Sequence, residues 1–277
     1  LNCNMTEGVV KNLNGNSGCR IYLYSKDKTS FVRKVSKNIS YNARLRAQFE
    51  KQVQFNNPKI KTPKVFEAGF SEGLFYIDME YTSGLPLNDF VVNDSPVFCQ
   101  KIISTLLRDR QTCKFPHNEL KLKNKIETIS SSLKNDNKLL FECKKKLIQL
   151  YTIDWPDLEL SFCHGDLTFE NIIIKNDEIY LIDFLDSFID NYLIDASKLV
   201  MDLIIGWSWR HSDKVPYVKN SIILSNIYKM FSDQEVDIIN KFVFLHLLRI
   251  YPYCECEKAK MKIELGLEHS IKNFNFS

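Results

Sequence analysis

Hydrophobic and polar positions alternate through the first eighty residues and then change period. Residues 21–24 and 31–35 are rich in β-branched and aromatic side chains, and a polar run at 25–29 separates them, which predicts a hairpin. Ahead of them, residues 14–18 (Asn14, Gly15, Asn16, Ser17, Gly18) predict a small-residue turn between strands. Leu45, Phe49 and Val53 recur at every fourth position within 43–55, which predicts one face of a helix. Pro58 and Pro63 close that segment. Residues 64–70 and 74–81 predict a second strand pair around Ser71, Glu72 and Gly73.

After Gly84 the period becomes helical over 96–107, 120–133 and 137–151. Strands return at 171–174 and 179–182, and from Asp195 onward the pattern is helical, with polar breaks near Ser212 and Ser232. A β-rich first part and a helix-rich second part with a short β insert predict an α+β fold of two lobes. The boundary falls at Thr82, Ser83 and Gly84, giving a β-rich lobe over 1–81 and a helical lobe over 82–277. No internal repeat is present.

Composition narrows the classes. Apolar residues make up 44% of 277, enough for a real core. The net charge of +3 is a near balance, so no nucleic-acid partner is expected. The longest apolar stretch, 242–250, is broken by His246 and Arg249 and falls short of the roughly 18 residues a membrane helix needs. Eight cysteines are scattered, and the one close pair, Cys254 and Cys256, lacks the second half of a zinc site. Reduced, small apolar cysteines and no signal-peptide pattern predict a cytoplasmic location. Nothing in the pattern bears on oligomeric state.

Residues 162–175 place a polar loop between hydrophobic runs. The loop holds His164, Gly165, Asp166 and Asn171, and the strand that follows ends at Asp183. Phosphoryl transfer requires groups of these types. A carboxylate must orient or deprotonate the accepting hydroxyl, and oxygen ligands must hold Mg2+ against the phosphates. Asp166 suits the first role; Asn171 and Asp183 suit the second.

This pattern resembles the aminoglycoside phosphotransferase and choline kinase family, a branch of the protein-kinase-like fold. The family's His-x-Asp-x-x-x-x-Asn run with a later Asp at a strand end is matched by His164, Asp166, Asn171 and Asp183. The resemblance implies a small-molecule kinase with ATP, or GTP, as donor and Mg2+ as cofactor. It also implies a cation on the third strand that pairs with a helix glutamate and touches the nucleotide phosphates. Arg33 and Lys34 both qualify and face opposite sides of the strand. Arg33 is favoured, because Phe31 and Val35 share its face and a cation turned inward there needs a partner. The glutamate is expected at Glu50. Ser17 falls in the phosphate-covering turn, and Glu80, Tyr81 and Thr82 in the adenine-binding hinge. His164 and Asp195 are expected to be scaffold, with Asp195 as a helix N-cap that braces the catalytic loop; the role of Asp186 stays open.

The acceptor is expected to be a small-molecule hydroxyl. Trp207, Trp209, Arg210 and His211 form one aromatic and basic cluster, and Arg249, Tyr251 and Tyr253 another. Arginines there could clamp a phosphate or carboxylate on the acceptor. The C-terminal helices are lysine-rich, which disfavours a polycationic aminoglycoside. A sugar or polyol leads, with choline or another amino alcohol behind it. A non-catalytic nucleotide-binding pseudokinase is the alternative of a different class. A protein kinase is disfavoured, because Asp183, Phe184 and Leu185 replace Asp-Phe-Gly and only about a dozen residues precede the next helix.

Overall fold

A computed structural model describes residues 8–13, 19–26, 29–108, 112–113, 119–134, 137–158, 160–212 and 214–276. The chain divides into two units. One takes in residues 1–85 and 173–186, the other 86–172 and 187–277. A single cut after residue 81 is therefore replaced by a division that returns the second β hairpin and Asp183 to the first unit. The reason is local pairing, set out next.

The first unit is built on strands β1 (Gly8–Leu13), β2 (Cys19–Lys26), β3 (Thr29–Ser36), β4 (Ile60–Lys61), β5 (Val65–Ser71) and β6 (Leu74–Glu80), with helix α1 (Asn42–Gln54). Five of these strands form an antiparallel sheet in the order β1-β2-β3-β6-β5. One face of the sheet meets α1 over a small core of Cys19, Leu45, Phe75 and Ile77. Lys34 pairs in register with Ile21 and Ile77. Period-two alternation therefore puts Lys34 and Ser36 on that buried face and Arg33 on the other. The inserted strands follow much later in sequence: β10 (Ile172–Lys175) and β11 (Glu178–Leu181) close through Asn176 and Asp177, both at positive φ, as a two-residue hairpin. Strand β4 runs parallel to β11, which ties residues 173–186 to the first unit.

The phase of α1 differs from the expected one. Leu45, Gln48 and Gln52 are buried, whereas Val53 is 58% exposed. The two amides tolerate burial because each is hydrogen-bonded. Gln48 Oε1 accepts from Lys34 Nζ at 3.1 Å, and Gln52 Nε2 donates to the Pro63 carbonyl at 3.0 Å.

The second unit begins at Pro86, the last residue of β7 (Leu85–Pro86), followed by α2 (Leu87–Asn93), α3 (Pro96–Arg108) and β8 (Thr112–Cys113). It continues through α4 (Glu119–Ser132), α5 (Lys138–Thr152) and β9 (Leu160–Ser161). After the hairpin come α6 (Tyr192–Ile205), α7 (Tyr217–Tyr228), α8 (Asp233–Ile250) and α9 (Glu257–Asn273). Helix α6 lies at the centre and most of its residues are buried. It starts at an Asn191 N-cap, whose side chain accepts from Leu193 N. Asp195 is thus inside the first turn rather than the cap. Helix α8 packs against α6 and opens with a capping box of Ser232 and Glu235. Among the described residues no helix is long and apolar enough to cross a membrane.

Gly84 illustrates how tightly the first unit closes on its inserted strands. A Cβ there would stand 2.5 Å from both Ile173 Cγ2 and the Ile174 carbonyl oxygen. Backbone in a paired strand yields less readily than a side-chain tip. Gly84→Ala is therefore expected to cost about 1–3 kcal/mol of stability, read by urea unfolding. An unchanged unfolding midpoint would contradict this close approach.

Candidate functional site

The loop from His164 to Asn171 lies in the second unit, and its shape is held by one stripe of α6. Asp195, Lys198 and Asp202 stand at i, i+3 and i+7, which is one face of a helix. Asp195 Oδ2 accepts the His164 amide at 2.6 Å, and Oδ1 accepts the Gly165 amide at 2.8 Å. Gly165 has φ +87°, a backbone setting that suits glycine. Lys198 Nζ is 2.8 Å from Asp166 Oδ1. Asp202 Oδ2 accepts the Phe169 amide at 2.8 Å, while its Oδ1 accepts the Ser208 amide at 2.7 Å. The Ser208 hydroxyl also donates to Asp202.

The loop is further braced within itself. His164 is buried, and its Nδ1 accepts the Asp166 amide at 3.2 Å. Asn171 donates Nδ2 to the Asp166 carbonyl at 2.8 Å. That bond fixes the amide and leaves Asn171 Oδ1 as the group able to ligate a cation. Beneath the loop, Phe169 packs on Trp209, and Arg210 binds both oxygens of Glu170 at 2.9–3.0 Å while lying over the Trp207 ring. The expected cluster at 207–211 thus spends Trp209 and Arg210 on supporting the loop.

The electrostatics follow from burial. Burial would raise the Asp166 pKa, but Lys198 and Arg249 overcome it and hold the carboxyl below its ordinary value. Burial, then Arg249, pushes Lys198 down to about 8 despite its partner Asp166. Both shifts leave the pair ionised at neutral pH. The Asp166 side chain keeps 24% of its surface exposed, while Lys198 keeps 2%.

In the first unit the second carboxylate is bound from β3, and α1 holds the segment after it. Asp183 follows the end of β11 at φ +64°, a left-handed setting that is costly for a residue with a Cβ. Lys34 Nζ bonds Asp183 Oδ1 at 2.5 Å. One face of α1 holds the segment that follows. Arg44 binds Asp186 at 2.7 Å, Lys51 donates to the Leu185 carbonyl at 3.0 Å, and the Phe55 ring, just past the helix, lies against Phe184.

Several expected residues sit elsewhere. Lys34, not Arg33, turns toward α1 and is buried there. Arg33 occupies the opposite face, bound to Asp78 by Nε at 2.7 Å and Nη2 at 2.5 Å and lying over the Tyr24 and Tyr76 rings. Its required partner thus exists, but on the outer face. Glu50 pairs with Arg46 at 3.0 Å on an exposed face of α1. Gln48 meets Lys34 instead, because two residues turn the helix by about 200° and carry Glu50 away. Glu80 lies 3.4 Å from Lys175, Tyr81 is 39% exposed, and the buried Thr82 Oγ1 has no hydrogen-bond partner among the described residues. Ser17 lies outside the described residues. Asp166 and Asn171 belong to the second unit, Lys34 and Asp183 to the first.

Among the described residues no group of three His, Cys, Asp or Glu gathers as a metal cage. Mg2+ held largely by phosphate oxygens and water does not require one, and a carboxylate plus an amide oxygen is a fitting hard-donor set. Reading the sequence missed Lys198, Asp202 and Gln48. The signal was available for the first two: Lys198 and Asp202 are charges spaced with Asp195 in an otherwise apolar helix.

The profile described as the phosphotransferase enzyme family matches residues 10–219. No curated protein matches by sequence. Several solved structures share the fold. A thermostable mutant of aminoglycoside phosphotransferase APH(4)-Ia is 14% identical, with 96% of this chain and 94% of that one covered and a TM-score of 0.67. A putative fructosamine-3-kinase from Haemophilus somnus 129PT is 13% identical, with coverages of 97% and 92% and a TM-score of 0.58. Amicoumacin kinase hAmiN is 16% identical, with coverages of 96% and 90% and a TM-score of 0.57. At such identities the likeness is one of fold, and it bears out the α+β class.

The electrostatics of Asp202 are testable by pH. Burial pushes its carboxyl from 3.8 up to about 6, although Ser208 and the Phe169 amide favour the ionised form. The folded pKa is above the unfolded one, so the native state binds more protons across that window. Stability is therefore present below about pH 4 and falls as pH rises through about 6, by about 2–3 kcal/mol. Asp202→Asn should remove this slope in urea unfolding. A variant with the parental slope would contradict the assignment.

Proposed function

From the premise that the chain belongs to the phosphotransferase enzyme family, we propose that it transfers the γ-phosphoryl group of ATP to a hydroxyl of a small molecule. A sugar or polyol is the leading acceptor class. Solved structures of similar fold carry ADP with hygromycin B, or AMP-PNP with Ca2+ and Ami, which supports a nucleotide and a small acceptor. The observation that carries the reading is Asp166. It is an ionised, part-exposed carboxylate in a loop whose amides are tied to α6.

In this reading Asp166 accepts the hydroxyl proton as the acceptor oxygen bonds to the γ-phosphorus. The bond from that phosphorus to the β–γ bridging oxygen breaks, and ADP leaves with the electron pair. Asn171 and Asp183 would hold Mg2+. The ion, when bound, neutralises charge on the phosphates and orients them. Lys34 serves the nucleotide phosphates, and its contact with Asp183 keeps both groups placed before nucleotide arrives. Backbone groups of Glu80, Tyr81 and Thr82 read the purine edge, where GTP could replace ATP. Because Arg33 is bound to Asp78 on the outer face, the phosphate role falls to Lys34.

The test is ADP release with pooled sugars, polyols, amino alcohols and aminoglycosides in the presence of Mg2+ and ATP. Acceptor-dependent release is expected, and it would exclude a pseudokinase. Asp166→Asn should lower kcat by about 100-fold to 10,000-fold, with nucleotide affinity by calorimetry unchanged. Parental turnover in that variant would overturn the role of Asp166.

A further inference from the structure

The surroundings of Asp166 hold more positive charge than the proposed chemistry uses. Lys198 and Arg249 both act on its carboxylate. Lys198 carries three N–H donors, and the one side-chain partner that the described residues give it is Asp166 Oδ1, at 2.8 Å. Arg249, in the last turn of α8, makes no hydrogen bond or ion pair among the described residues, and its Nε is buried without a partner. Arginine bears five donors in a rigid fork, so an unengaged guanidinium in a half-buried position needs an oxygen acceptor.

The nearby carboxylates are committed elsewhere. Asp195 is occupied by the His164 and Gly165 amides, and Asp202 by Ser208 and the Phe169 amide. Arg210, the other arginine of this region, is bound to Glu170. The ring of His246, one turn before Arg249 on α8, is bonded through Nε2 to Ser197 at 3.0 Å. Burial, then Lys198, Arg249 and Lys125, drives its pKa well below 6.5, so it adds no charge. Two cations thus act on one carboxylate, and among the described residues Arg249 has no ion-pair partner of its own.

We propose that Lys198 and Arg249 form an oxyanion-binding pair beside Asp166, so that the acceptor carries a carboxylate or phosphate close to the hydroxyl it presents. A fork of N–H donors matches either oxyanion, and the pair sets the register of the acceptor against Asp166. Sugar acids, hydroxy acids and sugar phosphates fit. Choline and aminoglycosides do not, because each would bring an ammonium group against Lys198 and Arg249. The proposal rests on the phosphotransferase reading for the word acceptor, but the anion site itself can be probed without turnover.

Inorganic phosphate and D-glycerate are titrated calorimetrically into the protein, alone and saturated with Mg2+ and AMP-PNP, with glycerol as the neutral control. At least one of the two anions should bind while AMP-PNP is present, and Arg249→Met should weaken it by about tenfold or more. Arg249→Lys should retain part of the affinity. Matching thermal unfolding of the variants establishes that they fold, and Arg249→Gln serves where Arg249→Met does not. The turnover arm compares ADP release with glycerol, D-glycerate, glycerol 3-phosphate, glucose, gluconate, glucose 6-phosphate, choline and kanamycin. Preference for the anionic members, lost in the variant through KM rather than kcat, supports the pair and tells carboxylate from phosphate. Absent anion binding, equal affinity in the variants, or preferred turnover of choline, kanamycin or the neutral members would overturn it. Failure of AMP-PNP to bind would count against the kinase reading alone, since the anion titration without nucleotide still reports on the pair.

Discussion

Charges in the interior of a helix bundle persist only where each meets a partner, and α6 turns that constraint into a device. Asp195, Lys198 and Asp202 would each be costly in a helix as deeply buried as this one. Each is compensated by a group of the 164–171 loop: two amides, one carboxylate and a third amide. The loop in turn gains a fixed backbone from a rigid helix rather than from its own sequence. Removing one partner would leave an unpaired buried charge, so loop and helix hold each other in place. The ionised state of Asp166 and the chemistry proposed for it follow from this arrangement.

The first unit repeats the logic with a different helix. Arg44, Gln48 and Lys51 share a face of α1 and hold Asp186, Lys34 and the Leu185 carbonyl. The positive φ of Asp183 is an unfavourable conformation for a non-glycine residue, and contacts on the flanking residues sustain it. Gln48 is notable for being neutral. Among the described residues Asp183 is the one ion-pair partner of Lys34, so the position of Asp183 depends on Lys34 directly.

Much of this was legible in the sequence, and the misses have physical causes. The strand pairs, the polar loop that holds Asp166 and Asn171 and the change to helical period could all be read from spacing. The inward cation could not, because Phe31, Arg33 and Val35 look like a core face by composition. The structure places Lys34 on the buried face, where Gln48 and Asp183 satisfy it. The phase of α1 was misread for a related reason: Gln48 and Gln52 are polar, and their burial depends on partners far along the chain. Asp195 looked like a cap because carboxylates often are, whereas Asn191 takes that role and frees Asp195 to bind the loop. Partners distant in sequence are what periodicity cannot show.

The claim that α6 fixes the loop is tested most directly by hydrogen exchange at single amides. In the parent protein the His164, Gly165 and Phe169 amides should exchange slowly, as hydrogen-bonded groups do. In Asp195→Asn the His164 and Gly165 amides should exchange faster, by about tenfold or more, while Phe169, held by Asp202, keeps its protection. Fast exchange of these amides in the parent, or unchanged protection at His164 and Gly165 in the variant, would contradict the account.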